Sequence, residues 1–178
     1  MAASTGEVRL IADASCVGFG HQLLMLSLAF RRRAIRLTWT WINCPKGHSS
    51  AVKQLALLAY VRSLVPHGIP VLLVGDSEFG AMVVLEQLDT WKWQYVLRQR
   101  ASHGTQLEGQ TDWNTFGSLI ERPGQSRWAE GALLTRRSAY PTNLLAYWGA
   151  GEERPWFLAT NLPRKRRCLA RLSPSHVD

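Results

Sequence analysis

The stretch Val71-Leu72-Leu73-Val74-Gly75-Asp76-Ser77-Glu78-Phe79-Gly80 decides how this chain is read. Four β-compatible apolar residues in a row are expected of a strand buried on both faces, the kind found inside α/β sheets. Gly75 to Gly80 reads as a turn, and Phe79 to Leu88 as a helix. Asp76 therefore stands at the carboxyl end of a central strand. A carboxylate is costly to place there without a partner or a cation, and in open α/β sheets the functional crevice lies at those strand ends.

Upstream, Ser49 or Ser50 can cap a helix in which Val52, Leu55, Leu58, Ala59 and Val61 follow at roughly helical spacing until Pro66 and Gly68 end it. Further upstream lie three extended runs. Val8 to Ala12 ends at Asp13, and Ser15 to Gly20 reads as a turn. Gln22 to Phe30 and Ala34 to Ile42 are joined by Arg31-Arg32-Arg33. Thr38 and Thr40 alternate with Trp39 and Trp41, as suits a strand. Short connections make these three strands an antiparallel meander. Downstream, Trp93 to Leu97 is a further strand, so the first hundred residues read β-β-β-α-β-α-β. From 101 to 163, short apolar or aromatic runs are broken by Gly, Pro and charge, which predicts a β-rich insertion. Residues 164–178 carry Arg164-Lys165-Arg166-Arg167 and no apolar periodicity, which predicts a basic, poorly ordered tail.

The composition bounds the function. The chain has 178 residues, 46% hydrophobic and 19% charged, enough for a sizeable core. No run of about 18 uncharged apolar residues occurs, which argues against a spanning helix, and no secretory signal is visible. Three cysteines without a close pair, Cys16, Cys44 and Cys168, argue against a disulfide framework and a zinc site and fit a reducing, cytoplasmic compartment. Net charge is +8, from 21 Lys and Arg against 13 Asp and Glu. That sign favours a polyanion. A membrane surface would call for a basic amphipathic helix or a lipidation motif, and neither is found, so nucleic acid is the expected partner.

Two aspartates can carry chemistry. Taken singly, Asp13 is a turn former at a strand end and Asp76 a cap for the helix that follows. Taken together, on neighbouring strands, they would face each other, and two like charges that close call for a divalent cation. Mg²⁺ suits oxygen ligands and leaves room for water and phosphate. Such a site activates a water or a 3′-hydroxyl for in-line displacement at phosphorus. Arg31, Arg32, Arg33 and Arg36 are either phosphate contacts or a solvated hairpin end. Lys46 and His48, Arg98, and Arg164, Lys165, Arg166 and Arg167 are further candidates for DNA contact. Trp113, Trp128, Trp148 and Trp156 either stack on exposed bases or fill a small β core. Glu78 reads as a first-turn residue favoured by the helix dipole rather than a metal ligand.

Six blocks in order resemble the ribonuclease-H-like catalytic core of DDE transposases from bacterial insertion sequences. They are Asp13-Ala14-Ser15 with its glycine-bearing turn; Phe30-Arg31-Arg32-Arg33-Ala34-Ile35-Arg36-Leu37-Thr38-Trp39; Lys46-Gly47-His48-Ser49-Ser50; Val71 to Gly80; Trp91 to Arg98; and Trp156 to Pro163. Together they span about residues 8 to 165. The resemblance implies an α/β fold with a mixed five-stranded sheet, three strands antiparallel and two parallel. Residues 1–100 would be the first part of the catalytic core and 101–163 the insertion. It also implies Asp13 and Asp76 as catalytic, metal-holding residues, Mg²⁺ or Mn²⁺ as cofactor, and transposon-end DNA as partner. The implied parent activity is DNA cleavage and strand transfer in a bacterial, nucleoid-associated setting. Ser77 stands where the family usually has Arg, and Arg36 where Pro is common. The family's third carboxylate is a Glu in a Tyr-x₂-Arg-x₃-Glu-x₆-Lys helix after the last strand, and no such pattern follows Pro163. The expectation is a chain truncated before that helix, with little or no activity alone. The alternative is a catalytically dead DNA-binding remnant or an inhibitor of the full-length transposase, with a second copy or that transposase as partner.

Overall fold

The computed structural model describes residues 6–18, 20–43 and 49–163. Ten strands and two α-helices lie among them, and most of the strand pairings are antiparallel. The chain divides into two compact units, residues 1–95 and 96–178.

In the first unit, β1 (Val8–Val17), β2 (His21–Phe30) and β3 (Arg33–Asn43) form the expected meander. The turn between β2 and β3 is tight enough to hold Arg31 at φ 55°. Helix α1 (Ala51–Leu64) is capped by Ser50, whose side chain accepts from the Lys53 amide, and it ends ahead of Pro66. Strand β4 (Val71–Gly75) follows and pairs parallel with β1, from Val8↔Val71 to Ala12↔Gly75. Val71, Leu72 and Leu73 are at most 2% exposed, which is why this strand reads as an unbroken apolar run. A 3-10 turn, Ser77–Phe79, leads to α2 (Met82–Thr90) and then to β5 (Gln94–Arg98). Strand order in this unit is β3-β2-β1-β4.

Three expectations need correcting. Strand β1 does not stop at Asp13. Its hairpin partner β2 keeps pairing through Ser15↔Leu23 to Val17↔His21, so only the pairing with β4 ends near Asp13. Helix α2 starts at Met82, not Phe79, because the chain first makes the 3-10 turn closed by Gly80. In α1, Val52 is 76% exposed and Gln54 is buried. The polar side chain has partners inside, described below, and the apolar one has none to meet.

The core of this unit comes from alternation. Leu10, Ala12 and Ala14 of β1 turn to the same buried face as Leu24 and Leu26 of β2. Helix α1 touches both β2 and β3 and contributes Leu57, Leu58 and Val61 to the buried set.

In the second unit the order is β5-β10-β9-β8-β6-β7, with β6 (Gly104–Gln106), β7 (Asn114–Thr115), β8 (Ser126–Leu134), β9 (Tyr140–Tyr147) and β10 (Trp156–Thr160). All the pairings recorded within this set are antiparallel. A sheet closed at five strands is therefore not what forms, because β10 hydrogen-bonds β5 through Leu158↔Arg98 to Thr160↔Val96. Phe116 and Phe157 meet at 5.2 Å in the core of this unit. Among the described residues, no helix is long and apolar enough to cross a membrane. The basic tail at Arg164 to Arg167 and the expected loss of a final helix fall outside the described residues.

Candidate active site

The two aspartates are set by strand register. Parallel pairing of β1 with β4 ends at Ala12↔Gly75, and the next residues on the two strands are Asp13 and Asp76. Neighbouring strands lie about 4.8 Å apart, so each aspartate is one residue beyond a pair of that spacing, Asp13 within β1 and Asp76 just past β4. Asp13 is exposed, on the face opposite Ala12 and Ala14, and its Oδ2 accepts a hydrogen bond from Ser15 Oγ at 3.1 Å. Asp76 is half-buried and extended, and its Oδ1 accepts from the Glu78 amide at 3.0 Å. Asp76 is thus a cap as well as a strand-end acid: it holds the 3-10 turn that follows it. Of the two roles posed on sequence, the capping role is the one this hydrogen bond shows.

Glu78 is a first-turn residue, as expected, but its side chain is turned inward. It is 8% exposed. Its Oε1 accepts from the Ser49 amide at 2.7 Å and from Ser49 Oγ, just ahead of α1. Gln54 Nε2 donates to Ser49 Oγ and to the Glu78 carbonyl, each at 2.7 Å. A buried carboxylate with several donors at a helix N-terminus is in a favourable place. The network ties the start of α1 to the turn that carries Asp76. The sequence held little sign of it, since Ser49 and Glu78 are 29 residues apart.

The structure does not gather the remaining candidates around this pair. Arg31, Arg32 and Arg33 are exposed at the β2–β3 turn. Phe30 lies five residues along β2 from Met25, the partner of Asp13, which is about 17 Å. In the second unit, the Arg98 guanidinium sits over the Trp156 ring at 5.2 Å. Lys46 and His48, like Arg164, Lys165, Arg166 and Arg167, lie outside the described residues. The four tryptophans of the second unit are half-buried. Trp128 Nε1 donates to Glu130 and Trp148 Nε1 to the Glu152 carbonyl, so these two indoles are tied at their polar tips.

Carboxylates are the hard oxygen donors that Mg²⁺ or Mn²⁺ takes, so Asp13 and Asp76 are of the right chemical type to hold such an ion. Among the described residues, no three His, Cys, Asp or Glu side chains come together as a metal-binding group. Water and phosphate would have to complete the shell.

No family model matches the chain, and no curated protein matches it. Among solved structures, the chain is similar to piggyBac transposase in a synaptic complex with hairpin DNA, at 14% identity and a TM-score of 0.49, over 88% of this chain and 34% of that one. It is also similar to Marinitoga piezophila Argonaute in complex with 5′ OH guide RNA and target DNA, at 9% identity and a TM-score of 0.38, over 93% of this chain and 24% of that one. The chain thus spans about a third and a quarter of those two proteins' lengths.

Proposed function

We propose that the chain is part of a DDE transposase of the insertion-sequence kind, that its first unit is a ribonuclease-H-like core, and that the parent activity is metal-dependent DNA cleavage and strand transfer. The observation that supports this is the parallel register ending at Ala12↔Gly75, after which Asp13 and Asp76 are the next residues of the chain on either side. The strand order β3-β2-β1-β4 of the first unit and the basic balance of the chain support it. Asp13 and Asp76 are the residues that hold the ion. When bound, Mg²⁺ or Mn²⁺ supplies Lewis-acid stabilisation of phosphate oxygens and activation of an attacking hydroxyl. The chain's own work is to keep the two acids in place. Ser15 orients Asp13, the Glu78 amide orients Asp76, and the Ser49–Gln54–Glu78 network fixes the turn that follows Asp76. The DNA partner is transposon-end DNA, met by exposed arginines through salt-dependent phosphate contacts.

A second reading is favoured by a specific observation. With no third acid in the cluster and with Glu78 committed to Ser49, the site among the described residues has two anchors. The chain as it stands then binds DNA with little strand transfer, and can join a full-length transposase as an inhibitor.

Thermal unfolding tests the metal site. With a dissociation constant on the order of 1 mM, about 10 mM Mg²⁺ adds about 1.4 kcal/mol, a rise of roughly 3–5 °C in midpoint. Asp13→Asn and Asp76→Asn should each remove that rise. Neither should lower the metal-free midpoint much, because each relieves repulsion between neighbouring carboxylates and Asn keeps a capping oxygen at position 76. An equal rise in both variants and the parent chain would sink the assignment.

A further inference from the structure

Between Asp13 and Asp76 run 62 residues with seven Lys and Arg and no Asp or Glu. This acid-free stretch builds β2, β3 and α1. One sheet face of β1 and β2 is buried, as described above. The other carries Asp13 and, in register across the strands, Met25 of β2 and Trp39 of β3. The next row is Ser15, Leu23 and Trp41. Trp39 is 56% exposed and Trp41 54%. Such large apolar rings are rarely left open without a use when they sit together.

A register shift brings a cation to the same face. Residues 36 and 39 would point to opposite faces of an unbroken strand. In β3 the pairing skips Leu37, so Arg36 opposes Ser27 while Thr38 opposes Leu26. Arg36 therefore shares the face of Trp39 and Trp41, and the three line one shallow depression with Ser15, Leu23 and Met25. The two tryptophans are two residues apart on the strand, about 7 Å. That is twice the roughly 3.4 Å separation of stacked bases, room for one base between the rings.

We propose that Trp39, Trp41 and Arg36 form a stacking site for unpaired bases of a single-stranded nucleic acid, on the sheet face that carries Asp13. Charge selects this occupant over a protein. β2 and β3 hold no acid, their turn and Arg36 supply guanidinium groups, and a polyanion is the complementary partner. Stacking selects unpaired bases, because a base lying on an indole has left its own duplex stack. Trp39 stands two strands from Asp13, about 10 Å, so a strand held there can run on to the aspartates. The inference rests on the DNA-processing reading only for that last step.

The test is run on the full chain in EDTA, so that it does not depend on the metal site. Fluorescence anisotropy would follow a labelled 15-nucleotide oligothymidylate and a 15-base-pair duplex at one fixed salt concentration. Base–aromatic stacking is large enough that Trp39→Ala with Trp41→Ala should weaken oligothymidylate binding by about ten- to a hundredfold. Duplex binding should change by less than about twofold, and Trp39→Phe with Trp41→Phe should restore most of the single-strand affinity. Because both rings are exposed, the thermal midpoint should hold, and that is checked on the same samples. Unchanged oligothymidylate binding overturns the proposal, as does an equal loss on duplex. A fall from dimer to monomer in sedimentation, with oligothymidylate affinity unchanged, would also overturn it and assign the face to a second copy. A missing metal response with the single-strand loss as expected would overturn the active-site reading alone.

Discussion

Phe79→Ala should lower stability by about 3–5 kcal/mol, the cost of emptying a buried aromatic site, and bring the midpoint down by roughly 10 °C or more. Phe79 is fully buried and is the last residue of the 3-10 turn that Asp76 caps. Its amide donates to the Asp76 carbonyl at 3.2 Å. The ring anchors the turn from inside and the carboxylate caps it from outside. Loss of the ring should therefore loosen Asp76 as well as the core. Phe79→Leu fills most of the space and should cost clearly less. Chemical denaturation of the two variants checks the size and the order of the effects. A Phe79→Ala loss under about 1 kcal/mol would mean that the turn is not held from the core.

Glu78→Ala should cost about 2–4 kcal/mol, or about 8 °C in midpoint. The reason is what it leaves behind. The Ser49 amide and hydroxyl would lose their acceptor at the start of α1, and Gln54 would be left bridging a broken network. Unmade hydrogen bonds of buried donors are more expensive than the bond is worth when made. Glu78→Gln keeps one acceptor oxygen and should lose about half as much. If Glu78 were a metal ligand instead, Glu78→Ala would relieve charge and stabilise the metal-free chain. The sign of the change in EDTA thus separates the two roles.

The order of the first seven elements was legible because each carries its own local signal. Val71 to Val74 is apolar without a break, Ser50 precedes a helical spacing, and Trp39 and Trp41 alternate with threonines. What escaped depended on pairing between distant segments. Asp13 looked like the end of a strand because Ser15 to Gly20 is small and glycine-bearing, yet β2 draws β1 out to Val17. The network of Glu78 with Ser49 and Gln54 left no local signal because Ser49 and Glu78 are remote in sequence. Strands β6 and β7 have three and two residues and no alternation long enough to show. The shift past Leu37 is set by the ladder with β2, so the common face of Arg36, Trp39 and Trp41 could not be seen from spacing alone, which would part Arg36 from the tryptophans.

In the proposed function, Asp13 and Asp76 hold one divalent cation between them. Mn²⁺ titration followed by electron paramagnetic resonance tests it directly, since bound ion loses the sharp signal of free aqueous Mn²⁺. One Mn²⁺ per chain should bind with a dissociation constant in the range of about 0.1–1 mM, weakened at least about tenfold by Asp13→Asn and by Asp76→Asn, as loss of one of two anionic ligands requires. Binding of equal strength in both variants, or no binding in the parent chain, would contradict it.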